Sequence, residues 1–245
     1  MKIAIDFGHG VGSDRGANGI IDEETIINSV GLLVISKLKA LGHTVIEVRP
    51  SSASSVSDSL SQRTNKADNN NVDLYVSIHA NAGGGVGTEV FTYNAKEVPQ
   101  ARAILNNIVA LGFTNRGIKD GSNLYVVKNP KATAMLIEVC FVDTQSDVDK
   151  YNGIGAEKIA NAIVNGLVGG TVSTTEKGYV VTTYLPHSVT YDGVDINYVL
   201  SYFQGVKCYV RGNAKGVWIE TEYLPIDKCN ELKSILGSWF YSIEK

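Results

Sequence analysis

The strongest constraint on this chain is an alternation. Through the first two-thirds of its 245 residues, short apolar runs take turns with longer segments whose apolar residues recur every three or four positions. Residues 2–7, 44–48, 73–78, 88–93, 124–127 and 134–139 read as strands. Between the first two, Ile27, Gly31, Val34, Leu38 and Leu41 share one helical face, and Gly42 suits the left-handed end of that helix. Asp58 or Ser57 is expected to cap a polar helix reaching about Asn70, and residues 99–111 and 156–167 read as further helices. Strands alternating with helices of this length predict an α/β unit, a twisted and mostly parallel sheet flanked by helices.

Three of the apolar runs end in a residue able to bind metal or move a proton: His9, His79 and Glu138. Glu24 opens the helix between the first two. Two imidazoles and a carboxylate suffice to hold Zn²⁺ with one position open, and a further carboxylate can act on water there. A lone His9 between Gly8 and Gly10 would usually be structural, but His79 also follows a strand, on the edge where open α/β sheets bind ligands. His43 and His187 lack such context and read as surface residues. Asp22 and Glu23 are alternatives to Glu24, since acidic residues in a first turn ordinarily complement the helix dipole. Periodicity is read as turning Glu24 toward the sheet with Ile27, Asn28 and Gly31, and Glu23 outward. Glu138, within Met-Leu-Ile-Glu-Val-Cys-Phe, is costly to bury unless paired or used; the bland alternative is an edge strand facing solvent.

Composition narrows the function classes. A net charge of −3 without a basic run gives no reason to expect nucleic acid. Cys140, Cys208 and Cys229 are odd in number and far apart, which argues against a thiolate metal site. No run approaches the roughly 20 apolar residues of a membrane span, so no membrane insertion is expected. The N-terminus shows no signal-peptide pattern, from which synthesis in the cytoplasm is expected.

A small, polar, Gly-rich stretch over 166–178 marks a linker, so the expected division is 1–168, a linker at 169–178, and 179–245. Aromatic density supports the boundary: twelve aromatic residues lie after position 178 and eight before it. Strand-like runs at 179–184, 207–211, 217–221 and 239–243, with helix-like stretches at 196–203 and 227–236, make the tail a small α+β domain.

The residues also carry a family resemblance. Asp6-Phe7-Gly8-His9-Gly10, Gly16-Ala17-Asn18-Gly19, Glu24 followed four residues later by Asn28, Ser77-Ile78-His79-Ala80-Asn81-Ala82, Arg116-Gly117-Ile118-Lys119, Leu124-Tyr125-Val126 and Leu136-Ile137-Glu138-Val139-Cys140-Phe141 stand in this order. With them the chain resembles the zinc-dependent N-acetylmuramoyl-L-alanine amidases of the type 3 family, phage endolysins included. Cys140, Asp143, Phe7 and Val11 depart from that family's usual residues without removing a ligand. The resemblance implies the type 3 amidase fold, a Zn²⁺ cofactor on His9, Glu24 and His79, and Glu138 as the catalytic carboxylate. It implies hydrolysis of the amide between N-acetylmuramic acid and L-alanine in peptidoglycan, with Asn81 and Tyr125 as substrate-groove residues. The tail is expected to bind wall glycan and can also oligomerise. Thr190-Tyr191-Asp192-Gly193 is similar to terminal modules of clostridial phage endolysins. The role implied is a lysin made in the host cytoplasm and released through a holin. A host autolysin or sporulation amidase is the alternative in that class. A non-catalytic wall-binding protein and a zinc carboxypeptidase acting on stem peptides represent other classes.

Overall fold

A computed structural model describes residues 1–169, 177–185 and 196–244; His187 and the 190–193 motif lie outside them. The chain divides into two compact units, Met1–Val172 and Ser173–Lys245.

The first unit follows the alternation read from the sequence. Its strands are β1 (Lys2–Phe7), β2 (Thr44–Glu47), β3 (Leu74–Asn81), β4 (Thr88–Thr92), β5 (Asn115–Asp120) and β6 (Thr133–Phe141). Its helices are α1 (Glu23–Ala40), α2 (Val56–Asn69), α3 (Pro99–Ala110), α4 (Tyr125–Lys128), α5 (Gln145–Ile154) and α6 (Ala156–Val168). The strands form one sheet in the order β2-β1-β3-β6-β4-β5, parallel throughout except where β4 meets β6.

Period-2 alternation decides where the chemistry lies. Ile3, Ile5 and Phe7 of β1, Val76 and Ile78 of β3, and Met135, Ile137 and Val139 of β6 join the larger core, which α1, α3 and α6 also line. Ala4, Tyr75, Ala134 and Leu136 supply a smaller core with Ala67 of α2 and with Val126 and Val127 of α4. The same alternation carries this second set onward through Asp6, Ser77, His79, Asn81 and Glu138. One strand end on one face is therefore polar.

Several local expectations are corrected. Residues 124–127 read as a strand in sequence, but Tyr125–Lys128 is a short helix, burying Val126 and Val127 in the smaller core. The sheet position belongs to β5 instead, whose pattern is disguised by Arg116, Gly117 and Lys119. The cap of α2 is Ser55, whose side chain accepts from the Asp58 amide at 3.1 Å, and Asp58 in turn accepts from Ser54. Gly166 and Leu167 belong to α6, within the helix read over 156–167; a Cβ on Gly166 would stand 2.6 Å from the Ile104 amide, so the residue permits close contact with α3.

The second unit contains β7 (Lys177–Thr182), α7 (Ile196–Leu200), β8 (Cys208–Asn213), β9 (Gly216–Thr221), β10 (Leu224–Pro225), α8 (Ile226–Leu236) and β11 (Phe240–Glu244). Its antiparallel sheet runs β10-β7-β9-β8, with β11 also pairing β7. Val180, Val199, Phe203, Ile219, Leu232 and Leu236 form its core. It is the α+β unit expected. Among the described residues, no helix is long and apolar enough to cross a membrane.

Candidate functional site

β1 ends at Phe7, and beyond it the chain turns sharply at His9, which adopts φ 55° between Gly8 and Gly10. A Cβ on Gly8 would lie 2.3 Å from the His79 ring, so only glycine lets the two histidines approach. Their rings meet edge to face with centroids 4.8 Å apart.

The carboxylate that joins them is that of Glu23. Its Oε1 lies 3.1 Å from His79 Nδ1 and 3.6 Å from His9 Nε2. Donor atoms of these three residues all stand within 4.8 Å of one another. Tetrahedral ligands at about 2.0–2.1 Å from Zn²⁺ stand about 3.3 Å apart, and the two Glu23–imidazole separations bracket that value. The nitrogen and oxygen donors thus fit a zinc ion by both chemistry and spacing.

Glu24, expected as the third member, is not brought beside the two histidines in this structure. It accepts from Arg15 Nη2 at 2.8 Å and from the Gly16 amide at 3.3 Å, on the flank of α1. The reason is helical geometry. The buried stripe Ile27, Val30, Val34 and Leu38 continues back by four residues to Glu23, which is buried, and the step from Glu24 leads to Asn28. Asn28 is occupied elsewhere. Its Oδ1 accepts from Arg49 Nη1 at 2.8 Å, and Arg49 Nε donates to the Phe7 carbonyl. Asp22 is exposed.

Behind His9 lies a network that the sequence did not reveal. Nδ1 of His9 is 2.9 Å from Asp14 Oδ1, while Asp14 Oδ2 accepts from Ser59 Oγ at 2.7 Å and from Arg63 Nη2 at 3.3 Å. Arg63, 1% exposed, also donates to Asp6, to the Phe7 carbonyl and to the His9 carbonyl. Asp6 further accepts from Tyr75 at 2.9 Å and Ser77 at 2.8 Å. With Nδ1 engaged by Asp14, Nε2 of His9 faces Glu23 and His79. A carboxylate behind an imidazole fixes ring orientation and tautomer in this way at metal sites.

The electrostatics follow from these contacts. Burial opposes ionisation of Asp14, but the bonds from His9 and Ser59 and the charge of Arg63 outweigh it and hold its pKa at about 2. Burial also opposes protonation of His9, yet its bond to Asp14 and the charge of Glu23 leave its pKa raised. Glu23 is lowered against its burial by its bond to His79, the His79 charge and the Ala17 amide.

Glu138 is the in-register partner of His79 across β3 and β6. Burial drives its pKa well above the ordinary carboxylate value, and the negative charges of Glu23 and Glu89 add to the rise. Its Oε2 is buried without a hydrogen-bond partner among the described residues. Glu89 lies directly opposite Glu138 on β4, where it accepts from Asn81 Nδ2 at 2.8 Å and Arg116 Nε at 2.9 Å. Gly8, His9, Asp14, Arg63, His79 and Glu138 all border one cavity of about 470 Å³. Asn81 and Tyr125 border it too, and Phe91, Leu124 and Leu136 supply its apolar wall. His43 instead contacts the Met1 amine at 3.3 Å.

A family profile described as N-acetylmuramoyl-L-alanine amidase matches residues 3–168. An uncharacterised protein of Clostridium perfringens is 34% identical over 175 residues, covering 68% of this chain and 51% of that protein. The chain therefore spans about half the length of that relative. The N-acetylmuramoyl-L-alanine amidase CwlM of Bacillus licheniformis is 34% identical over 174 residues, covering 68% of this chain and 67% of that protein. Among solved structures, the catalytic domain of an endolysin targeting Clostridia difficile superposes with a TM-score of 0.64 at 30% identity, covering 71% of this chain and 99% of that one.

Proposed function

The chain belongs to the N-acetylmuramoyl-L-alanine amidase family, and on that premise we propose that it cleaves the amide joining the lactyl group of N-acetylmuramic acid to L-alanine. The reading is carried by the convergence of His9 Nε2 and His79 Nδ1 on Glu23 Oε1, both histidines bordering the same cavity as Glu138, whose Oε2 has no partner among the described residues. His9, Glu23 and His79 would hold Zn²⁺. When bound, that ion supplies Lewis acidity, which polarises a scissile carbonyl and acidifies water.

The chain's own residues do the rest. Asp14 keeps Nδ1 of His9 protonated, so that Nε2 presents its lone pair. Glu138 accepts the proton of the attacking water and delivers it to the alanine nitrogen as the C–N bond breaks. The products are a lactyl carboxylate on an intact glycan and a peptide with a free L-alanine amino terminus. Asn81, held by Glu89, and Tyr125, 39% exposed, border the cavity and would contact the substrate from its wall.

The second unit is proposed as the wall-binding part, which retains the catalytic unit on peptidoglycan and raises its effective concentration there. The endolysin catalytic domain among the structural relatives supports a lytic role, exercised on the wall after release from the cell.

Mass spectrometry of fragments released from purified peptidoglycan tests the reaction. New L-alanine amino termini on an intact glycan are expected. Release of terminal alanine alone would indicate a carboxypeptidase, and chelator-insensitive retention without hydrolysis a non-catalytic wall binder. Glu138→Gln should keep the metal while kcat falls roughly 10²–10⁴-fold.

A further inference from the structure

The second unit places its aromatic residues on two different faces. Phe203 belongs to the core, with Trp239 and Phe240 packed against it. Alternation along β9 sends Val217, Ile219 and Thr221 inward and Trp218 and Glu220 to the other side. On that other side Tyr184 and Trp218 meet edge to face, with centroids 5.7 Å apart at 89°. Tyr184 is 48% exposed and Tyr241 70% exposed. An antiparallel sheet that faces water normally carries polar side chains outward. Here it carries aromatic rings.

The rings are arranged rather than scattered. Trp218 Nε1 donates to Glu220 Oε1 at 3.0 Å, and Glu220 also accepts from Arg211 Nε at 2.9 Å, so the indole plane is fixed from outside the pocket. Asn213 Nδ2 donates to the Tyr184 hydroxyl at 3.2 Å and its Oδ1 accepts from the Lys215 amide at 2.8 Å, which sets an amide and a phenol side by side at the rim. Tyr184, Trp218, Tyr241, Asn213, Val181 and Thr183 border a cavity of about 550 Å³, with no charged side chain among the described residues of its wall.

We propose that this pocket binds one ring of a neutral saccharide. A pyranose ring has an apolar C–H face and a rim of hydroxyls, which matches aromatic faces bordered by an amide, a phenol and a threonine hydroxyl. An anionic wall polymer would find no cation among those wall residues. The inference rests on reading the second unit as the wall-binding part, and supplies that reading with a ligand class and residues.

The test uses the full chain as wild type, Tyr241→Ala and Trp218→Ala. Three quantities are measured: retention on protein-stripped bacterial walls, tryptophan fluorescence during titration with N-acetylglucosamine tetramer, rhamnose and glucose oligomers, and sedimentation velocity. At least one saccharide should give a saturable signal in the wild type. Tyr241→Ala keeps the Trp218 reporter and should weaken that binding about tenfold. Trp218→Ala should abolish retention on walls, and both variants should hydrolyse soluble peptidoglycan fragments at the wild-type rate. Tyr241 is largely exposed, so its variant separates loss of a contact from loss of the fold. Retention of wild type and variants alike would overturn the saccharide pocket while leaving the wall-binding reading intact. Saccharide binding without wall retention would overturn the wall-binding reading and leave the pocket. Variants that turn a dimer into a monomer, without any saccharide response, would make this face a self-association surface and sink the proposal.

Discussion

Oε1 of Glu23 lies 3.1 Å from Nδ1 of His79, a contact between residues 56 positions apart in the chain. Two neighbouring carboxylates of one helix turn thereby have different partners. Glu23→Gln should lose most bound zinc and the activity with it. Glu24→Gln should keep both, since Glu24 answers Arg15 on the helix flank. Metal content after dialysis, read beside activity, decides the matter; zinc lost from Glu24→Gln and kept by Glu23→Gln would exchange the assignments.

The histidine pair depends on an absent side chain. Gly8→Ala places a methyl 2.3 Å from the His79 ring, a clash that one of the two must relieve by moving. The variant should bind zinc at least about tenfold more weakly, on the scale seen when a metal ligand loses its orientation. Titration against a competing chelator measures this. Wild-type affinity in Gly8→Ala would show that the ring has room the structure denies it.

Arg63 holds a buried anionic pair. Arg63→Met leaves Asp6 and Asp14 without their cation in an interior where both are nearly inaccessible. Breaking a buried ion network by removing one partner costs about 3–5 kcal/mol. Urea unfolding of the metal-free protein should report a loss of that order, and a change below about 1 kcal/mol would mean that the carboxylates find other partners.

Asp14 gives a pH signature. Its folded pKa of about 2 lies below the ordinary 3.8, so its ionised form stabilises the fold. That contribution is complete above the unfolded value and lost as pH falls from about 3.8 through about 2. The stability gap between metal-free wild type and Asp14→Asn should therefore be widest near neutral pH and close over that acidic window. A gap independent of pH between about 5 and about 2 would count against the Asp14 linkage. His9 acts in the opposite sense. Its raised pKa contributes stability that is present below about 6.5 and fades as pH rises through the folded value.

Much of this architecture is legible in the order of residues alone. The alternation of strand and helix periods predicts the α/β unit, and every expected strand of the first unit except 124–127 occurs. His9, His79 and Glu138 are visible because each is a polar residue at the end of an apolar run, a position where burial needs a reason. Glu23 is available to the same reasoning. Four residues before Ile27 lies Glu23, whereas the Glu24–Asn28 motif points one residue onward. The strand Asn115–Asp120 stays hidden because two charged residues and a glycine disguise its period.

Local periodicity, set by steric limits on the backbone, determined most strands and helices of the first unit and the inward and outward faces along its strands. It therefore placed the two histidines and Glu138 at strand ends. Only the tertiary structure decided which of two adjacent glutamates meets the histidines, because one residue turns a helix by about 100° and the choice depends on how α1 packs on the sheet. The support of His9 by Asp14, Ser59 and Arg63 was likewise beyond sequence reading. Those residues lie on a turn and on a polar helix with no signal of their own, and they become a network only where the fold withdraws water and each charge must find a partner.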